Sequence, residues 1–250
     1  MCLTCSVAYA TTGMGLLLTN SGAPLVLAST NTPKTIVSQV QTLQEIPAAL
    51  AAIKTPTLEE PAWLKQQNAA EAAERSAAGT AMKAASKVVT YDVTSKGIIS
   101  ADMAQFKAQA NATLNDSRGW VRLGVKFQEV ASGGMFTLVL SEAGQMTSFS
   151  PGCGSYYSCR AGRYVIINQD RWLGATDSWN QAGGSPRDYR HMVINHETGH
   201  WLGHDHAQCG GAGQPAPVMQ QQSISLQGCT FNPWPTAGEL WSTQLGIKKA

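Results

Sequence analysis

His196-Glu197-Thr198-Gly199-His200-Trp201-Leu202-Gly203-His204-Asp205-His206 is the stretch on which the reading of this chain turns. Its spacing is H-E-x-x-H-x-x-G-x-x-H, and the chain's five histidines all fall between His191 and His206. On a helix, His196 and His200 are i, i+4 and so share one face, about one turn apart. Glu197 is rotated by roughly 100° from His196. It cannot point along the same ligand direction, but it can reach a water held between the imidazoles. Gly203 tolerates the left-handed backbone that ends a helix. The chain can then fold back and bring His206 to the same point. Three imidazoles leave one position of a tetrahedral metal open, the arrangement of a catalytic rather than a structural zinc site.

The helix that carries these residues is signalled at its start. Ser185-Pro186 reads as an N-cap followed by proline at the first helical position, and Asp188 completes a capping-box-like S-x-x-D. Tyr189, Met192, Val193, His196 and His200 recur at spacings of three and four, which is one amphipathic face. These signals place the helix over residues 186–202. His191 and His204 fall off the ligand face and are expected to take no part.

Composition bounds the setting. The chain has 250 residues, a net charge of +2 and 14% charged residues, with no Lys/Arg cluster, so nothing favours nucleic acid. The first charged side chain is Lys34, and the stretch Met14 to Ala28 is mostly apolar but broken by Thr19, Asn20, Ser21 and Pro24. Residues 1–28 are read as a secretory signal or an N-terminal anchor, with Val26-Leu27-Ala28 suited to cleavage. The basic start of a signal is missing, and the interrupted run is a poor membrane span. Residues 29–86, rich in Ala, Gln and Thr with scattered prolines, read as a linker or stalk; a pro-segment is the alternative. The globular domain is placed at 87–250, acting as a monomer.

Removing residues 1–28 leaves Cys153, Cys159, Cys209 and Cys229, an even number that suits an exported chain and permits three pairings. The sequence-local pairs Cys153–Cys159 and Cys209–Cys229 are favoured. Cys209 as a fourth zinc ligand is the competing reading; it would close the open position and leave Glu197 without a task.

Within the domain, Val88 to Val93 reads as a strand. Ser100 is expected to cap a helix running to about Asn115, with Met103, Phe106, Ala110 and Leu114 on its buried face. Arg122 to Val130 and Met135 to Leu140 read as strands joined through Ser132-Gly133-Gly134 as a hairpin. Arg163 to Asn168 is the clearest strand, and residues 171–184 read as a loop. The order β-α-β-β-(β)-β-α gives an α+β fold: a mixed, mostly parallel sheet packed with two main helices.

The zinc motif, the methionine in Ala216-Pro217-Val218-Met219-Gln220-Gln221-Gln222-Ser223 and the element order resemble the metzincin clan of zinc metallopeptidases. Arg118-Gly119-Trp120, Tyr189-Arg190, Gly228-Cys229 and Asn232-Pro233-Trp234-Pro235 resemble, more closely, an actinobacterial exported family long labelled only as a domain of unknown function. The resemblance covers roughly residues 85–236. It implies zinc on the second helix, one catalytic Zn2+ held by His196, His200 and His206, and Glu197 as general base. It also implies a short irregular C-terminal subdomain in which Met219 forms an apolar floor. The activity implied is that of a secreted or cell-envelope zinc metalloendopeptidase acting on a peptide or protein, with one sheet edge open to an extended chain. Two features depart from the clan: Gln220 stands where some members carry a tyrosine near the metal, and no pro-segment lock is present. A zinc-stabilised envelope binding module without catalysis is the alternative, and hydrolysis of a cell-wall amide is a third.

Overall fold

The computed structural model describes residues 85–249 and five helical, exposed positions before them: Lys65, Ala69, Ala72, Ala73 and Ser76. The signal or anchor expected at 1–28 and most of the stalk lie outside the described residues. Among the described residues, no helix is long and apolar enough to cross a membrane.

Five strands form one mixed sheet in the order β2-β1-β3-β5-β4. β1 is Lys87–Lys96, β2 Val125–Glu129, β3 Phe136–Ser141, β4 Cys159–Ala161 and β5 Tyr164–Asn168. All neighbours run parallel except β4, which pairs antiparallel to β5 at the edge. The α+β class with a mostly parallel sheet is therefore what the residues build.

β2 and β3 do not form the expected hairpin; they flank β1 on its two sides. The first half of β1, Lys87 to Tyr91, pairs with β2, and the second half, Tyr91 to Lys96, pairs with β3. Because β2 ends at the level where β3 begins, the chain has only to step across β1, and Ser132-Gly133-Gly134 makes that step. Gly134 N donates to Asp92 Oδ1 at 2.8 Å. A side chain at Gly134 would press on the backbone of Tyr91, with Cα only 2.5 Å from the added carbon. The glycines serve a close backbone crossing, not a two-residue turn.

Two more expectations shift. The helix α1, Met103–Leu114, is capped by Asp102, whose side chain accepts from the amides of Ala104 and Gln105 at 2.8 and 3.2 Å. Ser100 is not its cap: its own amide donates to Gln169 Oε1 at 2.6 Å. Phe106, Ala110 and Leu114 are buried as expected. Arg122 and Leu123, read as the start of a strand, belong instead to a 3-10 turn, Trp120–Leu123, ended by Gly124 in the left-handed region (φ 78°). The stretch 171–184, expected as a loop, is taken up by two short helices, α2 (Gln169–Gly174, which begins before it) and α3 (Asp177–Gln181), capped by Asn168 and Thr176. Short helices of this kind have too few turns to show a periodic apolar face.

The main core lies between the sheet and α1 and α4, where α4 is Pro186–Leu202. It unites Val89, Phe127, Leu138 and Val165 from the strands with Phe106, Met192, Val193 and Leu202 from the helices. A smaller cluster on the other face of the sheet holds Val139, Met146, Cys153 and Ile166.

Candidate metal centre

α4 is nucleated as the sequence implies. Ser185 Oγ accepts from the amide of Asp188 at 3.0 Å and donates to its Oδ2 at 2.7 Å, with Pro186 in the first turn. Gly203 stops the helix in the left-handed region (φ 104°), and its amide donates to the carbonyl of His200 at 3.2 Å. Side-chain bulk at Gly203 would collide with Thr243, so the position needs both the backbone freedom and the space. Beyond it the chain returns, and Ala207 N donates to Met219 O at 3.0 Å, which anchors the segment bearing His206.

The result is a convergence of three imidazoles. His200 Nε2 stands 3.2 Å from His196 Nε2 and 3.2 Å from His206 Nε2. The three residues form a group able to hold a metal ion. Nδ1–H of His196 donates to Val218 O at 2.8 Å, and Nδ1–H of His200 donates to His204 O at 2.8 Å. With the proton on Nδ1 in both, the two Nε2 atoms face each other with lone pairs and no proton between them. That juxtaposition is repulsive unless a cation sits among them. Tetrahedral nitrogens about 2.0–2.1 Å from zinc stand roughly 3.4 Å apart, close to the separations seen. Burial, then the neighbouring His200, pushes His196 down to about 3, and burial also lowers His200 and His206. All three stay neutral at pH 7, as metal ligands must. The donor set fits a zinc-type ion.

Glu197 lies beside this cluster, 5% exposed, and its Oε2 is buried with no hydrogen-bond partner among the described residues. Burial raises its carboxyl to about 8, against the opposing pull of the Arg160 charge. A buried, unpartnered carboxylate oxygen is expensive to maintain, and such groups concentrate where a site has work for them.

The remaining histidines are placed elsewhere. His191 Nδ1 is hydrogen-bonded to Thr113 Oγ1 at 2.8 Å, and His204 Nε2 donates to Trp241 O at 2.9 Å. Cys209 is joined to Cys229 and Cys153 to Cys159, so both local pairs form and Cys209 is not a ligand. Met219 is buried beneath α4 with its sulfur against Gly199, where any side chain would strike it. Gln220 is a scaffold residue, its Nε2 donating to Ser225 O and Leu226 O at 3.1 and 2.8 Å.

A cleft of about 360 Å³ opens over the cluster. One wall is Gly152 to Arg160, the other Gln221 to Ile224, and α4 contributes Met192, Val193, His196, Glu197 and His200. Three positions that matter here are not among the fixed residues of the histidine motif. Gly199 has a helix-interior glycine's ordinary cost of ~1 kcal/mol as its one signal. Glu239 accepts from the amides of Val218 and Met219, and Thr236-x-x-Glu239 is a capping-box pattern that could have marked it. Arg160, alone among the lining residues in carrying a permanent positive charge, had none.

The residues that gave the family resemblance brace this helix. Trp120 Nε1 donates to Asn195 O at 3.0 Å, Asn195 Nδ2 donates to Pro233 O at 2.8 Å, and the Trp234 ring lies 5.0 Å from that of His191. No curated protein and no solved structure gives a significant match to the chain. The family described as "Protein of unknown function (DUF3152)" matches residues 62–233, more than half of the chain. This protein therefore belongs to that family.

Proposed function

We propose that the protein is an exported, metzincin-like zinc peptidase that hydrolyses peptide bonds. The reading is carried by one observation: three Nε2 atoms converge with both helical Nδ1 atoms committed to carbonyls, and a buried carboxylate stands beside them. A purely structural zinc site closes with four protein ligands and has no use for such a carboxylate. The two disulfides are compatible with an extracytoplasmic chain.

His196, His200 and His206 would hold zinc, which supplies Lewis-acid activation of water and of the scissile carbonyl. Glu197 takes the proton of the attacking water on its carboxylate and passes it to the departing amine, ending in its starting state. Oε2 has no hydrogen-bond partner among the described residues, so no competing bond has to break when it takes the proton. Hydrogen bonds to Val218 and His204 fix the tautomers and tilt of two imidazoles. β4, the antiparallel edge strand of the sheet beside the cleft, would lend its backbone groups to an extended peptide.

The deciding experiment is metal analysis of the purified full chain together with digestion of a diverse peptide library. We expect about one zinc per chain, and hydrolysis that falls by ~10²–10⁴ in Glu197→Gln while zinc is retained. Absence of zinc, or equal cleavage by Glu197→Gln, would sink the reading.

A further inference from the structure

We propose that Arg160 reads a substrate carboxylate beside the scissile bond, so that the cleft selects peptides carrying an acidic residue or a free C-terminus there. This rests on the peptidase reading above and names the substrate class of that site.

The register of the edge strand aims the residue. Arg160 pairs across β4 and β5 with Val165, and paired residues project to the same face of a sheet. Val165 belongs to the core beneath α4, whereas Cys159 and Ala161 pack on the opposite face around Met146 and Ile166. Arg160 therefore rises on the α4 side, into the wall of the cleft that also contains Glu197, His200 and His206. The strand is held in place where the chain enters it. Cys159 is tied to Cys153, and Asn168 fastens the preceding loop by donating from Nδ2 to Ser155 O at 2.8 Å and from its backbone amide to Ser158 Oγ at 3.1 Å.

The guanidinium has no carboxylate of its own. Among the described residues no ion pair or hydrogen bond engages it, although its charge reaches both Glu197 and His200. Arginines elsewhere are occupied: Arg118 pairs with Asp116 at 2.9 Å, Arg163 with Asp92 at 3.4 Å, and Arg190 donates to Trp172 O. Besides the histidines, Arg160 and Glu197 are the only ionisable groups of the lining with opposite charge, and Glu197 is needed for proton transfer. A planar fork of donors at one wall of a peptide cleft matches one carboxylate in bidentate geometry.

The test uses the full-length, zinc-loaded chain and peptide pairs that differ by Glu against Gln at each position flanking the cleaved bond. A second pair differs by a free against an amidated C-terminus and separates the two sources of carboxylate. The parent should favour one acidic member by roughly 10–100-fold in kcat/KM, the range of a charge-assisted hydrogen bond. Arg160→Met should bring that ratio close to one, and Arg160→Glu should invert it towards Lys over Gln. A binding arm measures Kd of the same fluorescent peptides on Glu197→Gln with and without Arg160→Met, so the ratio is read without turnover. Zinc content of each variant reports on folding.

No acidic preference in the parent, or an equal fall for acidic and neutral peptides in folded Arg160→Met, overturns the proposal. Glu197-dependent cleavage without acidic preference would leave the peptidase reading standing. Arg160-dependent binding without any hydrolysis would keep carboxylate recognition and end that reading. Failure of every peptide to bind or to be cleaved would end both.

Discussion

The carboxylate of Glu239 accepts the backbone amide of Met219 at 2.8 Å. Its second oxygen takes the amide of Val218 at 3.1 Å and the hydroxyl of Thr236 at 2.8 Å. Val218 O is in turn the acceptor for His196 Nδ1, so a short chain of hydrogen bonds links the C-terminal segment to one of the clustered imidazoles. A second link runs through Trp241, whose carbonyl receives His204 Nε2 while His204 O receives His200 Nδ1. Both helical imidazoles of the cluster are thus oriented through residues that lie beyond the family match, which stops at 233.

Breaking the first link should show in metal affinity before it shows in the sheet. Glu239→Ala leaves two buried amides without a partner and should destabilise the fold by about 2–4 kcal/mol. Zinc affinity should fall ~10–100-fold, as for other partners of metal ligands. Glu239→Gln retains one acceptor and should fall between. Chelator competition read beside thermal melting checks this, and unchanged zinc affinity in Glu239→Ala would refute the coupling.

The ligand set makes a sharper pattern. Alanine at His196, His200 or His206 should each remove zinc from the purified chain. His204→Ala should keep it, because the contact to His200 uses the backbone carbonyl and survives the substitution. His191→Ala should also keep zinc but lose stability, since it removes a buried contact to Thr113. Metal content by elemental analysis separates these cases. Retention of zinc by His206→Ala would mean a different third ligand.

How far the sequence disclosed this depends on the range of the interaction involved. The α4 signals are local: cap, proline, period and terminating glycine act within a few residues, and the structure places the helix where they do. Both disulfides join sequence-near loops and are equally readable. The β2–β1–β3 arrangement is not, because Gly133 and Gly134 look alike in a hairpin and in a crossing over Tyr91. Only the register of a strand distant in sequence distinguishes them. Glu239 and Arg160 stayed hidden for the same reason: each acquires its meaning from partners brought near by the fold.

Cys209–Cys229 closes a loop of 20 residues that contains the methionine turn. Replacing both cysteines by serine should relax the unfolded chain's constraint and lower stability by roughly 3 kcal/mol. Hydrogen exchange should rise across residues 209–229, and zinc should dissociate faster because Ala207 and Met219 share a backbone hydrogen bond. The β1–β3 core should exchange as in the parent. Uniform loss of protection over the whole domain would show that the bridge holds the fold rather than the turn.

Metal-free protein should also report the state of Glu197 through its pH dependence. The Glu197 carboxyl is raised from 4.5 to about 8 by burial, so its neutral form is the one the fold prefers. Its contribution is fully present below pH 4.5 and is lost as pH rises through 8, because the unfolded chain gives up the proton first. His196 runs the other way, lowered from 6.5 to about 3, and its contribution is lost only as pH falls below 6.5. Between pH 6.5 and 8 the Glu197 slope therefore stands alone of the two. Over that window the zinc-free parent should lose on the order of 2 kcal/mol. Glu197→Gln cannot ionise and should show a flat profile there, with higher stability than the parent at pH 8. Denaturant titrations of the chelator-treated proteins at several pH values measure both curves. Parallel curves for parent and Glu197→Gln would mean that Glu197 is already ionised in the folded, metal-free site, with its charge met by Arg160.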